Sequence, residues 1–378
     1  MKFADITGHQ QTIKALRDIV DSNKIPHAIL LSGTPGIGKF NIARALAQYI
    51  HCKDKNGGDS CGKCPSCLQH SKLINPDTHF IYPIVKREKE GITVSKDLAE
   101  EWRQMLNEFP LMPPESWNNI IKAGNSQPSI YVNESEALII NASLSSFQEK
   151  YKIYIVWLPE KLRPEAANKI LKIIEEPHED TIFILVSNDP ASILPTIYSR
   201  VQRFSLSPLS ESDIADYLKT GHRLEQTMAE EISRLSEGSL AKAEEYALRP
   251  TELDEFSSLF IDIMRSAYAL QGKNLKDLSE KVASMGREKI VRFLKYAARL
   301  VRENFIFNIS QPSLNLMTPV EKNFSLKFSP YINEQNVEGL LLDISQAITD
   351  IERNANSKIV MFDLFFLISK WIRTKKPV

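Results

Sequence analysis

The sequence has no surplus of either charge, no long hydrophobic run and almost no cysteine, and each shortage narrows what the chain can be. Lysine plus arginine and aspartate plus glutamate both number 47 among 378 residues, so no overall field draws the protein onto nucleic acid or a lipid surface. Any such contact has to come from a local patch. The opening Met1-Lys2-Phe3-Ala4-Asp5 lacks the apolar stretch of a leader, and the longest apolar run near the end, Val360 to Ile368, is short and carries Asp363. Neither a signal peptide nor a membrane-spanning helix is expected, and a cytoplasmic protein with no membrane contact follows. Only four cysteines occur, all between Cys52 and Cys67, which leaves none to staple the rest of the chain. The length calls for two or three domains rather than one core.

What is present starts with Gly33-Thr34-Pro35-Gly36-Ile37-Gly38-Lys39-Phe40, which fits the phosphate-cradling pattern G-x-x-x-x-G-K-[ST] everywhere except its last position. In such a loop Gly33, Gly36 and Gly38 let backbone N–H groups turn toward phosphates. Lys39 reaches the β- and γ-phosphates, and a final hydroxyl holds Mg²⁺. Phe40 has no oxygen to offer. The flanks suit the motif: Ala28 to Ser32 reads as a buried strand, and Asn41 to Ala47 as a helix whose N-terminus faces the phosphates. A nucleotide-binding fold is expected, with ATP binding weak or absent.

Cys52, Cys61, Cys64 and Cys67 follow, with Gly57-Gly58 and Gly62 supplying turns between them. Four thiolates at knuckle spacing suit a structural Zn²⁺ and leave no open coordination position for catalysis. The long first gap leaves His51 or His70 open as a replacement for Cys52, and metal-free or redox-active thiols are the other readings. Between about 84 and 129 the pattern breaks into the charged run Lys86 to Glu90, a helix with the stripe Leu98, Trp102, Met105 and Phe109, a turn from Pro110 to Pro114, and then Trp117, Ile120 and Ile121. This reads as an insertion covering part of the sheet, with a partner-binding surface as the sharper alternative. Strand-and-helix alternation resumes with Lys152 to Trp157, a helix from Pro164 to Glu176 closed by Pro177, and a strand from Thr181 to Asn188. From Ser210 onward, where Ser210 or Ser212 caps the next helix, the remainder reads as helices. The clearest stripe is Val337, Leu341, Ile344, Ile348 and Ile351.

Asn168 to Pro177, followed by Leu194 to Val201, resembles the bacterial clamp-loader subunits of the delta-prime type, and Ile351 to Asn356 is similar to their C-terminal collar. The resemblance implies an α/β fold: an AAA+ P-loop core with a parallel sheet and an inserted zinc module (residues 1–207, module 52–67), a small helical lid (208–252) and an all-α collar that oligomerises (253–378). It implies a ring with gamma/tau and delta subunits that loads a sliding clamp onto primer-template DNA, as part of a DNA polymerase holoenzyme. Delta-prime subunits act as stators and complete a neighbour's ATP site with the arginine of a Ser-Arg-Cys motif. Here Ser199 and Arg200 match, and Val201 replaces the cysteine. Trp157 and Leu158 stand where motor subunits carry an Asp-Glu pair, and Ala241-Lys242 where they carry a nucleotide-touching arginine. Asn188 matches a polar residue near the γ-phosphate. The resemblance thus implies a non-hydrolysing subunit. A gamma/tau-type motor and a zinc-bearing nucleic-acid-binding protein on the same scaffold are the competing readings.

Overall fold

A computed structural model describes residues 1–124, 126–178, 180–309 and 315–373. The chain divides into two compact units, Met1–Glu244 and Glu245–Val378. The first contains, in order, α1 (Gln10–Asp21), β1 (Ala28–Ser32), α2 (Lys39–His51), α3 (Pro65–Ser71), β2 (Thr78–Ile81), α4 (Ala99–Glu108), α5 (Pro114–Ile120), α6 (Val132–Ala142), β3 (Lys152–Trp157), α7 (Pro164–Glu175), β4 (Thr181–Ser187), α8 (Pro195–Tyr198), β5 (Gln202–Ser205), α9 (Glu211–His222) and α10 (Gln226–Leu235). The division falls within α11 (Leu240–Leu248).

The five strands form one parallel sheet in the order β2-β3-β4-β1-β5. This is a parallel α/β core, with the phosphate-loop sequence leaving the C-terminal end of the strand β1. Its strands β1, β3 and β4 are buried throughout, as a parallel sheet covered on both faces requires. Alternate side chains serve opposite faces. Ile153, Ile155 and Trp157 join α1, α2 and the 84–129 segment, while Tyr154 and Val156 join Leu138 of α6 and Ile170, Ile173 and Ile174 of α7. The edge strands β2 and β5 carry exposed or half-buried positions and no strong apolar run, which is why the sequence alone did not single them out.

The 84–129 part of the segment between β2 and β3 packs onto the first of these faces. Leu98, Trp102 and Met105 are buried as the stripe predicts, but Phe109 is 37% exposed. It lies just past the end of α4, where the chain leaves helical geometry (φ −130°, ψ 69°), and Leu106 is buried from within the helix. Before β3, the buried Asp77 carboxylate accepts the backbone N–H groups of Phe147, Gln148 and Glu149 at 2.5, 2.7 and 2.9 Å. Burial opposes its ionisation, yet those three donors leave its pKa below the ordinary carboxylate value. Ser210 caps α9 by accepting the N–H of Asp213 at 3.1 Å.

The second unit is helical: α12 (Pro250–Tyr268), α13 (Gly272–Ala283), α14 (Arg287–Asn308), α15 (Pro319–Phe328), α16 (Val337–Glu352) and α17 (Ser357–Trp371). The buried face of α16 is Leu340, Ile344, Ala347 and Ile351, with Val337, Leu341 and Ile348 half-buried at its flank. The collar-like Ile351 to Asn356 is a tight helix-to-helix turn. Asn354 takes the left-handed conformation at φ 67°, and the Asn356 side chain accepts the N–H of Lys358 at 3.0 Å to start α17. Residues 310–314 and 374–378 of the expected collar lie outside the described residues. No helix among the described residues is long and apolar enough to cross a membrane.

Trp102→Ala should cost about 3–5 kcal/mol in equilibrium urea unfolding, because it empties the centre of the face between the sheet and α4. Phe109→Ala should stay within about 0.5 kcal/mol, the ordinary effect at a surface position.

Candidate functional site

The phosphate-loop sequence takes the conformation its residues allow. Gly36 sits at φ 78°, and a Cβ there would lie 2.5 Å from Ser239 Oγ and 2.7 Å from Ala241 Cβ, so only glycine fits under the turn that opens α11. The approach is fixed by two hydrogen bonds: Ala241 N–H donates to Gly36 O at 3.1 Å and Ser239 Oγ to Pro35 O at 3.2 Å. Gly38 starts α2 at φ 86° with no side-chain cap, leaving first-turn N–H groups open to an anion.

Lys39 is buried and donates from Nζ to Thr34 O at 2.5 Å, so its loop's own carbonyl takes the ammonium. Burial lowers its pKa to about 8, and the nearby Glu160 carboxylate opposes that fall. Glu160 Oε1 also accepts the backbone N–H groups of Asn188 and Asp189 at 3.0 and 3.3 Å. Asn188 is half-buried just past the end of β4. The structure therefore gathers Gly33, Gly36, Gly38 and Lys39 on one loop and links Lys39 electrostatically, through Glu160, to the Asn188 turn. Glu160 was not among the residues the sequence pointed to, since it lies past Trp157-Leu158 in a short 3₁₀ turn from Pro159 to Lys161.

Two of the residues that depart from the expected motor pattern, Phe40 and Trp157, meet in one aromatic cluster. Phe40 is edge-on to Trp102 with centroids 5.5 Å apart, and Trp157 lies 5.5 Å from the same ring. Trp102 stacks on Tyr82 at 3.9 Å, and Trp117 closes the group at 5.3 Å from Trp102. Leu158 follows buried at φ 56°. Lys242, beside the place of the expected arginine, is paired with Glu237 at 2.7 Å.

Arg200 lies just beyond α8 with its side chain 42% exposed, and it is not free. Nη2 is 2.7 Å from Glu175 Oε1, and Nη1 donates to Thr196 O at 2.9 Å and to Ser199 Oγ at 3.3 Å. Ile197 of α8 is buried among Ile170, Ile173 and Ile174, so the backbone beneath the arginine is anchored in the core. Val201 is buried, an apolar role compatible with a cysteine replacement.

Away from this region, the Sγ atoms of Cys52, Cys61, Cys64 and Cys67 all lie within 4.8 Å of one another, with Cys61 and Cys67 3.9 Å apart. Tetrahedral thiolate coordination at about 2.3 Å places neighbouring sulfurs roughly 3.8 Å apart, so the cluster could hold a metal. The thiols are unpaired by disulfides. Cys61 Sγ accepts N–H groups from Lys63 at 3.4 Å and Cys64 at 3.3 Å, which lowers its pKa to about 6. The two histidines left open as alternative ligands bind each other instead. His51 Nδ1 is 3.0 Å from His70 Nε2, and His51 Nε2 is 2.8 Å from Tyr151 O. Burial, followed by the His51 neighbour, pushes His70 down to about 3, so the pair is neutral.

NMR of the labelled Lys39 side chain should give a titration midpoint near 8, against about 10.4 for an unperturbed lysine. Glu160→Gln keeps an acceptor for the Asn188 turn but removes the charge that favours the ammonium, so the midpoint should fall further.

The family described as DNA polymerase III, delta subunit, matches residues 8–210, which span the sheet, the phosphate loop and Arg200. DNA polymerase III subunit gamma of Buchnera aphidicola is 27% identical over 93% of this chain and 96% of its own length. DNA polymerase III subunit delta' of Bacillus subtilis is 25% identical over 60% of this chain, which spans only 54% of that relative. A solved gamma subunit-related protein from Thermotoga maritima aligns over 96% of this chain and 99% of its own, at 15% identity and a TM-score of 0.44. With more than half of its residues matched, this chain belongs to the DNA polymerase III, delta subunit family.

Proposed function

We propose that the chain is a non-hydrolysing subunit of a DNA polymerase III clamp loader, of the delta-prime type, which completes a neighbour's ATP site with Arg200. One observation carries the reading: Phe40 and Trp157, at the two positions where a working ATPase supplies its metal hydroxyl and its first acid, are packed against Trp102. Phosphoryl transfer depends on metal, positioning and electrostatics together, so removing these parts leaves essentially no turnover. Gly33, Gly36, Gly38, Lys39 and Asn188 form a degenerate nucleotide site in this reading. Phosphates entering it would have to displace the Thr34 carbonyl from Lys39.

The remaining parts follow the same division of labour. Residues 208–252 are the lid and 253–378 the collar that joins this subunit to gamma/tau and delta neighbours, while the sliding clamp and primer-template DNA are met through the complex. Cys52, Cys61, Cys64 and Cys67 hold a structural Zn²⁺, which when bound crosslinks a loop with few apolar residues. A gamma/tau-type motor is the second reading, favoured by the near full-length match to a gamma subunit. Steady ATP turnover by the isolated chain, abolished in Lys39→Ala, would establish it in place of the first.

Two measurements test the proposal. Elemental analysis of protein purified without chelator should give about one zinc per chain, and Cys64→Ser should lose it; fully folded, metal-free wild type would end the zinc assignment. In the reconstituted complex, Arg200→Ala and Arg200→Lys should assemble normally and melt at the wild-type temperature. Both should slow hydrolysis at the interface this chain completes, since such arginines are worth on the order of 10³ to 10⁵ in rate and lysine lacks the planar fork. Unchanged hydrolysis at that interface would refute the role in trans.

A further inference from the structure

We infer that Glu175 is the positioning residue of Arg200, an inference that rests on the reading of Arg200 as a finger for a neighbouring ATP site. Glu175 is the last residue of α7, and the helix stops there because Glu176 leaves helical geometry (φ −127°, ψ 71°) and Pro177 follows. A carboxylate at this end faces the negative pole of the helix dipole, where a cation would be favoured. The sequence places two there, Glu175 and Glu176. A locally unfavourable choice of this kind is expected where function outweighs helix stability.

The geometry gives Glu175 its task. The Oε1 of Glu175 is 2.7 Å from Arg200 Nη2, while Thr196 O and Ser199 Oγ take Nη1 at 2.9 and 3.3 Å. One helix therefore controls both ends of the finger: Ile170, Ile173 and Ile174 hold the Ile197 backbone turn, and Glu175 turns the guanidinium. Both partners of the ion pair are partly exposed, at 42% and 37%, so the contact sets direction without binding the guanidinium strongly. A phosphoryl oxygen from the neighbour can take over Nη2 without leaving a buried carboxylate unpaired. The pair reduces the rotamer freedom that a long, half-exposed arginine would otherwise lose at the transition state.

The test uses the full chain, alone and reconstituted with motor and delta subunits. In the complex, Glu175→Ala should assemble and melt normally but lower kcat at the completed site by on the order of tenfold, with KM for ATP unchanged. Glu175→Gln, whose amide oxygen still accepts an N–H, should recover part of that loss. The double variant with Arg200→Ala should be no slower than Arg200→Ala alone, because Glu175 acts only through the arginine. A Glu175→Ala complex as fast as wild type, beside an impaired Arg200→Ala complex, overturns the positioning role and leaves the finger intact. An unimpaired Arg200→Ala complex overturns the finger and with it this inference. In the isolated chain, arginine-selective ¹⁵N NMR should find rotation of the Arg200 guanidinium slowed in wild type and free in Glu175→Ala; equal rotation in both overturns the inference whatever the complex does.

Discussion

The edge-to-face contact of Phe40 on Trp102, with centroids 5.5 Å apart, joins the helix that leaves the phosphate loop to the segment inserted between β2 and β3. Trp157 reaches the same ring from the end of β3, so the loop, the insertion and the sheet share one aromatic centre. Aromatic side chains of this size supply more buried area than any other residues, and their pairing adds directional preference. In the proposed non-hydrolysing role, the same packing that stabilises this face occupies two positions that nucleotide chemistry would use.

Charge is handled differently at each place where it leaves water. Lys39 surrenders its ammonium to its own loop, with the charge of Glu160 opposing the effect of burial. Asp77 stays ionised because three backbone donors converge on it and fix the approach to β3. Burial keeps His51 and His70 neutral, and their rings share one hydrogen bond. Arg200 is the contrasting case, a cation left at the surface and merely steered. The second unit uses a buried pair, Arg299 with Glu321, in which the glutamate also receives the Tyr296 hydroxyl at 2.7 Å and closes a capping box with Thr318. Removing one member of such a pair is costly because the other is left without a partner.

Much was legible in the sequence because it is locally encoded. The buried strands β1, β3 and β4 appear as unbroken apolar runs, helices announce themselves by period and cap, and the phosphate loop and the cysteine cluster by the local spacing of their residues. The α/β core, the helical remainder and the four-cysteine cluster all follow from such signals. What tertiary structure alone decided are contacts between segments far apart in the chain. The partnership of Phe40 with Trp102, the charge of Glu160 reaching Lys39, the mutual pairing of His51 and His70 and the grip of Glu175 on Arg200 have no local period to reveal them. Phe109 makes the same point in reverse: its spacing matched the stripe, but the helix ended one residue too soon to carry it inward. Spacing fixes which face a residue occupies only while the element persists, and where an element ends is set by what it packs against.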